Sequence, residues 1–381
     1  MNKRIKVRLY PTVKQKKVLE NHFNAFRYIY NLSLEYKQTL WQQWKITKSG
    51  YDIAKEVLEI RKEVPWLLEC KAECVREAAY QVDKSFKNFF NGSGYPKFKS
   101  KRGEQYFHAY QSINCKGSRL TFYKQKIKFK TSENYVELLN TSKVKQVTFK
   151  RDSCGDYWAI FLIGVREPEK LPKSNNSVGI DLGIKDLVIT SQGVVYENKK
   201  YFTNTQRKLK RLQRKFSKTK KGGKNREKLR KKIAKVYRKI TRQREHYYHS
   251  ISNDIIRENQ TIVLETLRIK NMVKNRKLAK SISDASWGTL IRMLEYKSKW
   301  YGRELIRIDT FYPSSKTCSG CGSVKEELKL SERTYKCDSC GLEIDRDLNA
   351  SINIRNAGIK IPEVPVEELT LVSPLKQEVI D

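Results

Sequence analysis

The stretch that most constrains this 381-residue chain lies near its end, where Cys318 and Cys321 stand in CSGCG and Cys337 and Cys340 in CDSCG. Two Cys-x-x-Cys pairs separated by 15 residues can close four thiolates into a tetrahedron around one Zn²⁺. The glycine after each second cysteine suits a tight knuckle whose backbone amides face the sulfurs. Redox thiols and an iron site are compatible with the same spacing. A closed four-cysteine site has no open coordination position, so zinc there staples a small ribbon and does no chemistry. Cys70, Cys74, Cys115 and Cys154 are scattered. The pattern therefore predicts one metal site plus ordinary core thiols of a reducing compartment, not a disulfide framework.

Directly beyond the second pair comes DRDLN, which carries Asp345, Asp347 and Asn349 into a predicted helix. Thiolates suit soft cations and carboxylates hard ones, so these acids need a different explanation. Two more acids close otherwise apolar runs: Asp181 ends VGID and Glu265 ends TIVLE. A lone acid at a strand end commonly serves as a cap or turn residue. Two of them with a third at a helix start can instead converge above neighbouring strands and hold two Mg²⁺ ions about 4 Å apart. The His246/His249 pair in HYYH reads as a polar helix flank rather than a further metal site.

The textures along the chain divide it. KRIKVRLYPT alternates as a strand stopped by Pro11, and Leu19, Phe23, Phe26, Ile29, Tyr30 and Leu34 then open a helical block that lasts until NGSGYP. From about Tyr106 to Val165, RLTFYKQKIKFK, KVKQVTFKR and YWAIFLIGV read as alternating strands of a mostly β, barrel-like unit. If the first strand belongs to that unit, the helical block is an insertion. After REPEKLPKSNNS, the buried strands VGIDLG, LVIT, TIVLE and LIRID alternate with helices, an α/β pattern. The last 21 residues, from IPEVPVEEL onward, are acidic and Pro-containing and predict a flexible tail.

Charge narrows the function. Lys and Arg number 79 against 41 acids, a formal charge of +38, which points to a polyanionic partner. Residues 201–250 hold 20 Lys/Arg and two acids around KKGGK, with Leu209, Leu212, Phe216, Leu229, Ile233, Val236 and Ile240 at helical spacing. These are two basic helices joined at Gly222 and Gly223, suited to nucleic acid. No apolar run approaches the roughly 18 residues that span a bilayer, no signal-peptide core is present, and the basic stretches lack an aromatic anchoring face. A soluble intracellular protein is expected.

In this order, GIDLGIKDLVIT, IVLETL, SSKTCSGCG, CDSCG and DRDLNASINI, together with FRYIYN and YPKFKSKR near the start, resemble TnpB. TnpB proteins are transposon-encoded RNA-guided endonucleases related to type V CRISPR effectors, and the resemblance spans nearly the whole chain. It implies a multidomain α/β and α+β fold: an RNase H-like (RuvC) nuclease domain with an inserted four-cysteine zinc ribbon, plus a β-barrel-like wedge interrupted by a helical recognition domain. On this chain the wedge takes 1–10 and 96–170, and the recognition domain 11–95. The nuclease domain takes 171–312 with its basic hairpin at 204–246, the ribbon 313–343, the third-motif helix 344–360, and the tail 361–381.

The resemblance further implies that Asp181, Glu265 and Asp347 are catalytic and hold two Mg²⁺, while Cys318, Cys321, Cys337 and Cys340 hold one Zn²⁺. Asp347 is preferred to Asp345 because the family pattern centres on Asp-x-Asn-Ala, with Asn349 supporting the site; Asp345 stays open as the alternative. The expected partners are a guide RNA from the transposon end and a double-stranded target DNA, bound by a monomeric ribonucleoprotein of the prokaryotic cytosol. Hydrolysis beside a short adjacent motif leaves 5′-phosphate ends. A catalytically silent RNA-guided repressor is the alternative, disfavoured because all three acids stand. A transposase that itself breaks and joins DNA would need a His-x-His pair, and the chain has none.

Overall fold

In the computed structural model, residues 1–110, 113–329 and 332–359 are described; the predicted tail at 361–381 lies outside them. The chain divides into two compact units. One comprises Met1–Glu167 with Lys215–Lys235, the other Pro168–Arg214 with the chain from Val236 onward.

The first unit begins with strand β1 (Asn2–Tyr10), which Pro11 ends. Thr12 then caps helix α1 (Val13–Trp44) in a reciprocal box with Gln15, satisfying backbone amides that the first turn leaves free. Helices α2 (Gly50–Glu63), α3 (Pro65–Leu68) and α4 (Ala72–Phe90) follow. Next come β2 (Gln105–Ala109), β3 (Asn114–Lys116), β4 (Arg119–Phe122), β5 (Gln125–Lys130), α5 (Glu133–Thr141), β6 (Val144–Arg151) and β7 (Tyr157–Gly164). The seven strands form one antiparallel sheet in the order β2-β6-β7-β1-β5-β4-β3, so the first strand sits at its centre and the helices are inserted after it.

Helices and sheet share one core, with Phe23 of α1 against Phe107 at a 5.2 Å centroid distance and Phe107 stacked on Phe149 at 4.8 Å. The expected barrel is instead an open half-barrel. Its edge strands, β2 and β3, are only five and three residues long, and short edges discourage pairing with other chains.

Two further readings change. RLTFYKQKIKFK is not one strand but the hairpin β4–β5, turning at Tyr123 and Lys124 with φ of 46° and 61°. Neither residue is the Asn or Gly that usually announces two successive positive φ angles. Helix α5, between β5 and β6, interrupts the region read as mostly β.

The second unit contains β8 (Ser177–Asp181), β9 (Asp186–Thr190), β10 (Val195–Glu197), β11 (Thr261–Glu265) and β12 (Glu304–Ile308), in the order β10-β9-β8-β11-β12. β8 is antiparallel to β9 and parallel to β11, which is parallel to β12. Between β10 and β11 run α6 (Tyr201–Ser217) and α7 (Lys224–Glu258), with φ of +84° at Gly222 in the turn. α7 continues well past residue 246, because Tyr248, Ile251, Ile255 and Ile256 keep helical spacing and enter the core. His246 and His249 lie exposed on it.

Helices α8 (Ile269–Met272), α9 (Ala279–Ala285) and α10 (Trp287–Tyr301) precede β12. The hairpin β13 (Thr334–Lys336) and β14 (Glu343–Asp345) leads straight into α11 (Arg346–Ile359). One sheet face buries Val178, Ile180, Ile262 and Leu264 with α7 and α10; the other buries Val263 with Ile354 of α11, as a period-two strand requires. No described helix is long and apolar enough to cross a membrane.

Candidate active site

β8 and β11 are parallel and in register, Leu264 beside Ile180, so Asp181 and Glu265 leave adjacent strands at the same end of the sheet. A third carboxylate reaches that end because α11 lies unusually close. A Cβ on Gly179 of β8 would fall 2.1 Å from the Ser351 carbonyl, and one on Gly358 of α11 would fall 2.5 Å from Val263 of β11. Both contacts are shorter than a Cβ tolerates, so glycine lets the helix backbone touch the β8 backbone at Gly179 and the Val263 side chain of β11 at Gly358. Asp347, in the first turn of α11, is thereby brought to the strand ends.

The electrostatics record the convergence. Burial, then the charges of Glu265 and Asp347, push the Asp181 carboxyl up to about 7; the Leu182 amide and Arg346 only partly oppose them. Ser314 donates its hydroxyl proton to Glu265 Oε1. Arg333 stands 3.9 Å from Asp347. Asp345 has another occupation: its Oδ1 accepts from the amides of Asp347 and Leu348 at 2.9 and 3.0 Å, capping the helix.

Shortly before Asp347 in the chain, a different cluster begins. The Sγ atoms of Cys318, Cys321, Cys337 and Cys340 all lie within 4.8 Å of one another, two pairs at 3.6 Å. A regular tetrahedron with Zn–S bonds of about 2.3 Å has edges of about 3.8 Å, so the donor set fits zinc in type and in size. The knuckles are equivalent: the Gly322 and Gly341 amides bond back to the Cys318 and Cys337 carbonyls at 3.0 Å each, with φ of +80° and +73°. The Ser323 hydroxyl and the Cys340 and Ser339 amides draw the Cys337 thiol down to about 5, the direction a thiolate ligand needs. Among the described residues this is the one group of three or more cysteines, histidines and acids whose donor atoms all lie within 4.8 Å of one another; His246 and His249 take no part.

Asn349 does not support the acids directly. Its amide donates to the Thr317 carbonyl at 2.7 Å and its oxygen accepts from the Ser319 amide at 2.9 Å, bracketing Cys318. Asn353, one turn later, donates to the Ser314 and Thr317 carbonyls at 2.8 and 2.6 Å. Sequence reasoning missed Asn353 and Ser314. The available signal was two asparagines four apart in NASIN, one buried polar stripe on an otherwise core-facing helix.

A mixed α/β chain with carboxylates gathered at the ends of parallel strands and a four-thiol knuckle beside the third of them is the class these features define. Residues 161–276 match the family described as "Probable transposase", 287–354 the "Cas12f1-like, TNB domain", and 1–45 a "Helix-turn-helix domain", although residues 1–45 here form β1 and the single long helix α1. A Streptomyces pristinaespiralis protein named "Putative RNA-guided DNA endonuclease" is 36% identical over 93% of this chain and 89% of its own length. InsQ of Escherichia coli (strain K12), with the same designation, is 27% identical over 83% of this chain and 81% of its own. The protein in the cryo-EM structure of a Cas12f1–sgRNA–target DNA complex shares the fold at 17% identity, with a TM-score of 0.52 over 93% of this chain and 99% of that one. The chain belongs to the TnpB family of transposon-encoded RNA-guided DNA endonucleases.

Proposed function

We propose that this protein is an RNA-guided DNA endonuclease that binds a guide RNA from its element's end and hydrolyses matching double-stranded DNA beside a short adjacent motif. The reading rests above all on Asp181, Glu265 and Asp347 acting on one another at one end of the sheet. The strand order supports an RNase H-like (RuvC) nuclease domain: the first strand, β8, is central, continues on one side as the antiparallel meander β8-β9-β10, and on the other is flanked by the parallel strands β11 and β12. A carboxyl raised to about 7 by burial and then by the charges of Glu265 and Asp347 gains from a divalent cation, and three carboxylates are the hard oxygen donors Mg²⁺ takes, so these acids would hold the two Mg²⁺ ions. Bound magnesium supplies positive charge that offsets the phosphodiester's negative charge as water attacks it.

The chain's own residues set the stage for that step. Asp181 and Glu265 ride on paired strands and Asp347 on a helix packed against both, so none depends on a loop for its place. Water adds to phosphorus, the bond to the 3′-oxygen breaks, and a 3′-hydroxyl and a 5′-phosphate result. With one centre per chain, the two strands are cut in turn. The basic helices α6 and α7 suit the phosphate backbones of guide and target, while base pairing reads the sequence. Cys318, Cys321, Cys337 and Cys340 hold a structural Zn²⁺. The working form is a monomeric ribonucleoprotein of the prokaryotic cytosol.

The test is cleavage of a matched duplex by RNA-loaded protein in Mg²⁺, with target binding measured in parallel. Asp181→Ala, Glu265→Ala and Asp347→Ala should each cost on the order of 10⁴-fold in cleavage, double variants no more than single ones, because the acids act as a unit. Guided binding should persist, since removing negative charge beside phosphates does not weaken docking. If Asp181→Ala and Glu265→Ala still cut, the nuclease reading fails.

A further inference from the structure

The thiol cluster and the carboxylates are joined by one short segment, Ser314 to Ser319, which is hydrogen-bonded on both sides. Toward the acids, the Ser314 hydroxyl donates to Glu265 Oε1. Toward α11, the Ser314 carbonyl accepts from Asn353, the Thr317 carbonyl from both Asn353 and Asn349, and the Ser319 amide donates to Asn349. Cys318, the first thiol ligand, lies inside this clamp. Asn349 and Asn353 are 0% and 3% exposed, so their bonds form where water does not compete. The helix that carries Asp347 thus grips the segment that holds both Cys318 and the donor to Glu265.

We infer that Ser314 is a positioning residue for Glu265, kept in place by Asn353 and Asn349, and that the segment transmits the order of the thiol cluster to the acid centre. The inference rests on the reading of Asp181, Glu265 and Asp347 as a divalent-metal site. A glutamate at a strand end has several side-chain torsions to order before it can ligate. A hydroxyl aimed at one of its oxygens selects the rotamer in advance, and the partners of metal-binding carboxylates are typically worth about 10- to 100-fold in metal affinity. Ser314 is itself buried, 6% exposed, so its hydroxyl has little solvent to turn toward.

The experiment titrates Mn²⁺ into the full-length protein and follows the bound ion by electron paramagnetic resonance, with zinc content and thermal melting measured on the same samples. Ser314→Ala removes the hydroxyl but leaves the carbonyl that Asn353 takes, so the clamp survives. It should weaken the Mn²⁺ site that Asp181→Ala removes by about 10-fold, with zinc and melting as in the wild type, and Ser314→Thr should restore the site. Unchanged Mn²⁺ affinity in Ser314→Ala overturns the inference while leaving the metal-site reading intact. Loss of zinc or of cooperative melting in Ser314→Ala, with Ser314→Thr normal, makes the hydroxyl a fold-holding group and also overturns it. A wild-type protein with no Mn²⁺ binding sensitive to Asp181→Ala overturns both.

Discussion

The four thiols and the three carboxylates are opposite solutions to holding charge. The thiols come from residues 318–340, close on one another, and receive amide and hydroxyl protons from their own knuckles. The carboxylates come from residues 181–347, ride on two strands and a helix, and burial together with their like charges pushes the Asp181 carboxyl up. A site built from one local segment can fold around its ion. A site assembled by long-range packing must exist before its ion arrives, so its like charges cost stability in the metal-free protein.

The largest expected effect breaks the local site. Cys337→Ser removes one of four thiolates, and metal-binding free energies of roughly 10 kcal/mol are folding free energy for such ribbons. Zinc content should fall and residues 313–343 should become protease-sensitive before any effect specific to cleavage. Soluble, zinc-free protein that cuts normally would end the comparison.

Next in size is a difference in the sign of the pH response. The Asp181 carboxyl is raised from an ordinary 3.8 to about 7, so between those values the folded state holds a proton that the unfolded chain lacks. Its stability contribution is full below about 4 and is lost as pH rises through about 7, up to roughly 4 kcal/mol in metal-free protein. Millimolar Mg²⁺ should cancel that loss. The thiol site runs the other way, releasing zinc as pH falls, because protons compete for its sulfurs. Denaturant titrations of metal-free protein from pH 5 to 9, with and without Mg²⁺, measure the first response; a flat profile removes the raised Asp181 carboxyl.

The same contrast explains what could be read in advance. The thiol site lies in one stretch of sequence, and its spacing and glycines follow from tetrahedral geometry alone. VGID and TIVLE were legible as buried strands ending in acids, but nothing local says that they are neighbours. That pairing depends on Thr261 aligning with Ser177 across the sheet. The approach of α11 was less legible still, since Gly179 and Gly358 acquire meaning only when Ser351 and Val263 lie opposite them. Tyr123 and Lys124 hid a hairpin by using residues that rarely turn that way, and α7 outran its expected end because apolar spacing continued beneath HYYH. Asn349 looked like a companion of the acids from its place in the motif, whereas its side chain faces the knuckle.

The smallest effect separates the two aspartates of DRDLN, where the local and the long-range sites meet. Asp345 is exposed and caps α11 through two amides. Asp347 is more enclosed and adds its charge to that of Glu265 on Asp181. Removing a cap typically costs about 1 kcal/mol, which in a domain of this size is a fall of about 2–4 °C in melting temperature. Asp345→Ala should therefore melt slightly lower yet still cut, with Asn restoring the melting temperature because its side-chain oxygen accepts the same bonds. Asp347→Asn should melt at or above the wild-type temperature in metal-free protein, since a like charge has gone, and should not cut. Melting curves and matched-duplex cleavage on the same preparations decide it. A dead Asp345→Ala beside an active Asp347→Asn would move the third carboxylate two residues toward the knuckle, making the helix cap itself part of the acid centre.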